Sequence, residues 1–235
     1  MKKSFIKSCT DIENAKRACE ITDLGFKYIL KEIKIGITEK QLAKKLSAFL
    51  TSKSDGLSFR PIVAFGKNSS AVHHHPTNCK LKINNIILFD FGAKINNNCS
   101  DLSRTIFFGK PNLKQLKAFN TVLKAQEKAI KFLLFKIKHN QSCKAFDVDK
   151  VARDYIISQG FPTIPHGLGH GLGKKVHQAP RLSPKSKHYL KPGMIITIEP
   201  GIYLKEFGIR IEDDVLITPN GVEILTKSKK NIVTI

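Results

Sequence analysis

Twice along this chain two amphipathic helical segments are followed by strand-forming ones, and a chain that repeats helix, helix, strands is constrained toward two similar halves. Ala15, Ala18, Cys19, Thr22, Phe26, Ile29 and Ile33 recur at intervals of three and four, predicting a helix with Asp11 as its N-cap. A second helix follows at once. Thr38 and Gln41 form a capping box at its start, and Leu42, Leu46, Phe49 and Leu50 are its buried stripe. Strands are predicted at Phe59 to Phe65, Ile86 to Phe91 and Thr105 to Phe108. The order then begins again. Leu116, Phe119, Leu123, Ile130, Leu133 and Ile137 keep helical spacing, and a helix from about Asp147 to Gln159 ends at Gly160, where a left-handed residue is wanted. Strands are predicted at Met194 to Glu199 and Ile209 to Ile217, with a hairpin turn at Pro219, Asn220 and Gly221.

With 235 residues, 41% of them hydrophobic, the chain can bury a sizeable core, and no Pro/Gly/Ser-rich linker divides it. Residues 1–235 therefore read as a single α+β domain. No apolar run approaches the about 20 residues of a membrane span, and the start, MKKSFIKSCTDIENAKR, has no apolar leader core, so a cytoplasmic protein with no membrane partner is expected. The five cysteines are scattered without CxxC spacing, which argues against a disulfide framework or a zinc-thiolate site. The net charge of +21 is spread along the chain, and its densest lysine clusters carry no aromatic stacking platform. A solvated lysine-rich surface, with no specific nucleic-acid partner, is the reading.

Five residues carry the chemistry: Asp90 in LFDFGA, Asp101 in CSDLSRT, His170 in HGLGHGLG, Glu199 in TIEPGIY and Glu212 in RIEDD. Asp90 and Asp101 are separated by a polar run that suits two adjacent antiparallel strands, so both carboxylates can face one cavity. The DFG triplet alone is weak evidence, shared with protein kinases, but no GxGxxG loop or HRD precedes it. Three histidines, His166, His170 and His177, alternate with glycines that allow close backbone approach. Glu199 and Glu212 lie in apolar strand contexts, where an unpaired carboxylate is costly unless it meets a cation. Four carboxylates and one imidazole suit two divalent cations, manganese before zinc, with cobalt and iron also fitting. Two such ions about 3.5–4 Å apart activate a water for hydrolysis.

Together and in this order, the five signatures resemble the pita-bread metallopeptidases, the group of aminopeptidase P, prolidase and methionine aminopeptidase. The resemblance spans nearly the whole chain. It implies a pita-bread fold, with two pseudo-symmetric halves around a curved antiparallel sheet. It further implies that Asp90 binds one metal, that Asp101 and Glu212 bridge both, and that His170 and Glu199 complete the other. Glu199 would also be the general base toward a hydroxide shared by the two ions. His73, His166 and His177 would line the substrate pocket, with His74 at an aromatic position and His177 donating to the developing oxyanion. For His74 and His75 a solvent-exposed run is the plain alternative.

Methionine aminopeptidases usually carry a Phe-Glu-His run at the last ligand, whereas GIRIEDDVLIT resembles the Xaa-Pro group. Tyr203 and Arg210 also match aminopeptidase P, where the arginine supports the metal ligands. The plain alternative for Arg210 is an ion pair with an acidic neighbour. An additional N-terminal domain, normal in aminopeptidase P and prolidase, is not matched by this sequence. The expected activity is therefore cleavage of peptides with proline at the second position, with methionine aminopeptidase and a non-catalytic peptide-binding domain as alternatives. A monomer and a homodimer are both open.

Overall fold

The computed structural model describes residues 5–235, so the first four residues of the basic start lie outside the described residues. Helix α1 (Cys9–Lys31) begins two residues before Asp11. Its N-cap is Ser8, whose Oγ accepts from Asp11 N at 3.1 Å, and Asp11 sits in the first turn beside the positive end of the helix. The apolar spacing starts only at Ala15 and so cannot register the polar turn before it. Helix α2 (Glu39–Thr51) has the predicted capping box, with Thr38 N bonded to Gln41 Oε1 and Gln41 N to Thr38 Oγ1. Its Leu42, Leu46 and Leu50 are fully buried, while Phe49 stacks on Tyr28 at its half-buried flank.

The strands that follow are β1 (Ile62–Phe65), β2 (Asn85–Phe91), β3 (Lys94–Ile95), β4 (Asn98–Cys99) and β5 (Leu102–Phe108). The first is shorter than predicted because Pro61 has no N–H for a ladder. Then come helix α3 (Leu113–Lys138), strand β6 (Cys143–Lys144) and helix α4 (Ala145–Ser158), with Gly160 beyond it at φ +80°. The remaining strands are β7 (Gly169–Gly171), β8 (Gln178–Leu182), β9 (Tyr189–Leu190), β10 (Ile195–Ile198), β11 (Gly201–Tyr203), β12 (Gly208–Arg210), β13 (Asp213–Thr218) and β14 (Gly221–Ile224). The strand predicted at Ile209 to Ile217 is broken at Ile211 and Glu212. There Glu212 N turns to bond Ser103 O, at 3.1 Å, and the chain passes from one ribbon to the next.

Antiparallel pairing gives a three-stranded sheet, β1-β2-β5, and a five-stranded sheet, β14-β13-β10-β7-β8. They meet where β5 lies beside β13, with Arg104 Nη2 donating to Asp213 Oδ1 at 2.7 Å, and the two-stranded β11–β12 ribbon is tied to β5 by Thr105 Oγ1, which donates to Arg210 O and accepts from Arg210 N. Helix α2 and the second half of α1 cover the first sheet, and α3 with α4 covers the second. Residues from the first half of α1, Ala15 and Cys19, pack instead on Leu172, Ile195 and Leu216 of the other half. That helix bolts the halves together. No helix among the described residues is long and apolar enough to cross a membrane.

Candidate functional site

All five signature residues converge where the two sheets meet. Asp90 is the penultimate residue of β2 and Asp101 immediately precedes β5, so the hairpin between them returns both carboxylates to one place. Tight approach is built into the turn: a Cβ on Gly92 would lie 1.8 Å from Ser100 O. His170 is central in β7, and a Cβ on its neighbour Gly169 would lie 2.0 Å from Thr197 O, so the glycines of HGLGHGLG let β7 press against β10. Glu199 follows β10, and Glu212 occupies the break between β12 and β13.

Ligand atoms of Asp90, Asp101 and Glu212 lie within 4.8 Å of one another, as do those of His170, Glu199 and Glu212. The His170 Nδ1 faces Gly171 O at 3.2 Å, which directs Nε2 toward Glu199 Oε1 at 3.3 Å and Asp101 Oδ2 at 3.7 Å. His177 also falls within ligand distance of Asp101 and His170, with its ring edge-on to His170, but it is exposed where the others are not.

The electrostatics are unbalanced in a way that suits cations. Burial raises the Asp101 and Glu212 carboxyls well above the ordinary range, and the neighbouring carboxylates raise them further. Asp90 is also raised by burial, although Arg210 opposes it. Glu199 goes the other way: burial pushes it up, but the His170 hydrogen bond and charge outweigh that and hold it below the usual value. Asp90 Oδ1 and Asp101 Oδ1 are buried with no hydrogen-bond partner. A crowd of oxygen donors with unfilled lone pairs is what a hard divalent cation satisfies, so the residues present fit such ions.

Arg210 is buried, so it is no surface ion pair. Its Nη2 donates to Asp90 Oδ2 at 2.6 Å, its Nη1 to Tyr203 OH at 2.7 Å, and its Nε to Ser103 Oγ, which in turn donates to Glu212 Oε2. One guanidinium thus fixes two of the carboxylates. The acidic neighbours in RIEDD have other partners: Asp213 pairs with Arg104 and Lys230, and Asp214 Oδ2 accepts from Asp101 N at 2.9 Å. Tyr203, its hydroxyl pushed up to about 12 by burial, also meets His166 Nε2 at 3.0 Å.

A cavity of about 400 Å³ opens over the five residues and is lined by His73, His166 and His177 as well. Burial lowers the pKa of His166 and of His177, the latter with help from the nearby His170 charge. His74 turns from the cavity to bond Glu39, while His75 is exposed. Sequence reasoning missed Arg181, an exposed cation lining the cavity, and two carboxylates behind its walls, Glu39 and Asp149. Their signals were faint: an arginine four residues after His177, an acid that opens the second helix, and an acid at the fifth position of the fourth.

A family model described as metallopeptidase family M24 matches residues 13–219. An uncharacterized peptidase of Staphylococcus epidermidis is 40% identical over 228 residues, which make up 96% of this chain and 63% of that protein. The structure of a dipeptidase from Pyrococcus horikoshii superposes with a TM-score of 0.93 at 37% identity, covering 98% of this chain and 64% of that one. An X-Pro aminopeptidase from Thermotoga maritima superposes at 0.92 with 34% identity, covering 98% and 65%. The chain therefore has the pita-bread fold expected of it. It spans less than two thirds of the length of these relatives.

Proposed function

Because the chain belongs to metallopeptidase family M24, we propose that it hydrolyses the bond between an N-terminal residue and a following proline. The observation that carries this reading is the convergence of Asp90, Asp101, His170, Glu199 and Glu212 on one cavity, with two carboxylate oxygens left unpartnered. The proline preference rests on the Arg210 and Glu212 context and on the likeness to an X-Pro aminopeptidase.

Asp90, Asp101, His170, Glu199 and Glu212 would hold two divalent ions, manganese by the chemistry of an oxygen-rich set with one imidazole. Such ions supply Lewis-acid activation of water and of the scissile carbonyl. Glu199, held ionised, takes the proton of the attacking water and returns it to the departing proline nitrogen. His177, neutral because its pKa is lowered, donates a ring N–H to the oxyanion, and His73 and His166 orient the peptide. Arg210 holds Asp90 directly and Glu212 through Ser103, so the carboxylates need not rearrange during turnover.

Arg181 favours a second reading of substrate length. A guanidinium exposed in the cavity suits the C-terminal carboxylate of a dipeptide, in keeping with the dipeptidase likeness. A panel of Xaa-Pro dipeptides, Xaa-Pro-Xaa tripeptides and Met-Ala peptides with manganese, cobalt or zinc tests both. Release of the residue before proline, lost on chelation and in Asp101→Ala, is expected. Preference for Met-Ala would indicate a methionine aminopeptidase, and no turnover with any metal overturns the reading.

A further inference from the structure

We propose that Glu39, which lies outside the cavity, is a positioning residue that sets the placement of His73. The inference rests on the assignment of His73 to the substrate pocket. Glu39 is the first residue of α2 and is fully buried. Its carboxylate takes five hydrogen bonds, and every donor lies between residues 65 and 77: Phe65 N and Asn68 Nδ2, both at 2.8 Å, His74 Nε2 and Thr77 N, both at 2.9 Å, and Thr77 Oγ1 at 2.6 Å. One side chain therefore closes the loop that carries His73.

His73 is exposed, and its ring makes no hydrogen bond among the described residues. Its position is set through its neighbours. On one side Val72 O accepts from Arg210 Nη1 at 3.3 Å, and on the other the His74 ring is held by Glu39. Arg210 is itself bonded to Asp90, so the loop is strung between the carboxylate cluster and the start of α2. Burying a carboxylate merely to close a surface loop is a costly solution, since desolvation opposes it. Fixing several donors at once on a single rigid acceptor is what such a group does well, and a misplacement of about 1 Å in a positioning element can cost up to about a hundredfold in rate.

In Glu39→Gln the amide must face at least one of the N–H donors with its own NH2, most directly Thr77 N, and the loop loses its common acceptor. The expected result is a fall in kcat/KM for the Xaa-Pro substrate of about tenfold or more, at unchanged manganese content, with partial recovery in Glu39→Asp. In a His73→Ala background the same Glu39→Gln change should cost less than about twofold, because a residue acting through another loses its effect when that one is gone. Leu46→Ala, in the core of the same helix, controls for stability: it should lower the Tm yet leave kcat/KM at low temperature near that of the wild type. Hydrogen exchange of Glu39→Gln should quicken between residues 65 and 77. Additive effects in the double mutant, or unchanged exchange in that segment, overturn the proposal. If the wild type cleaves no peptide, the functional reading fails separately, and exchange with a crystal structure of Glu39→Gln decides on Glu39: an undisplaced His73 loop rejects it.

Discussion

The two halves hold their pocket histidines by the same device with different chemistry. In the first, Glu39 of α2 accepts from Phe65 N and fixes the His73 loop with uncharged donors and one histidine. In the second, Asp149 of α4 accepts from Leu168 N at 3.0 Å and is paired through both oxygens with Arg153. Arg153 also reaches His166 O, at 2.9 Å, and Ile164 O. A carboxylate from the second helix of each half thus anchors a histidine-bearing loop, but only the second half gives it a bidentate cation. The first anchor should fail softly and locally, while the second should fail with a charge left stranded.

Asp101→Asn should give the largest effect. It removes a donor proposed to serve both ions, so steady-state kcat/KM should fall by more than the roughly 10- to 100-fold typical of an outer support of a ligand. Asp149→Ala comes next. Asp149 is buried and Arg153 only partly, so breaking the pair should cost up to about 3–5 kcal/mol, or a fall in Tm of at most roughly 6–20 °C for a chain of this size, read by thermal unfolding. A loss no greater than that of Glu39→Gln would erase the distinction between the anchors.

Manganese tests whether the halves share one site. At about 100 times its Kd it should raise the Tm of the wild type by roughly 5–11 °C, from about 2.7 kcal/mol of linkage. Asp101→Asn from the first half and His170→Ala from the second should each abolish most of that rise. If only one does, the ions sit within a single half.

The smallest effect is the acid limb of the first anchor. Burial pushes the Glu39 pKa up, but hydrogen bonds from Thr77, His74, Asn68 and Phe65 outweigh it and leave it below the usual value. Its folded pKa is thus depressed, so its contribution is fully present above the unfolded value of about 4.3 and is lost as pH falls through the lower, folded one. Denaturant unfolding between pH 6 and 3 should show a shallower acid loss for Glu39→Gln than for wild type. Parallel curves would break this part of the comparison.

The helices were legible because their apolar spacing is dictated by burial on one face, and Thr38 with Gln41 announces α2 without any tertiary contact. The N-cap at Ser8 and the break at Ile211 were not. The first lies upstream of the apolar pattern, and the second exists only because Glu212 N finds Ser103 O on a strand over a hundred residues earlier. The site residues were legible for a different reason. Carboxylates in apolar strand contexts are costly unless a partner or a cation meets them, and three histidines among glycines mark a backbone built for close approach, so their local contexts stand out. Arg181, Glu39 and Asp149 sit in ordinary contexts: Glu39 finds its donors between residues 65 and 77, and Asp149, paired with Arg153 one turn on, meets Leu168 N only in the folded chain.

By itself the sequence determined the helix-helix-strand order, the two halves and which carboxylates and histidines stand out, since periodicity, capping and residue chemistry are local properties. Only the tertiary structure decided which oxygen each donor faces. It bonded Arg210 to Asp90 rather than to its neighbours in sequence, gave Asp214 to the backbone of Asp101, and turned His74 from the pocket to Glu39. Those choices depend on which buried groups must be satisfied where the sheets meet, and that is settled only when distant strands are brought together.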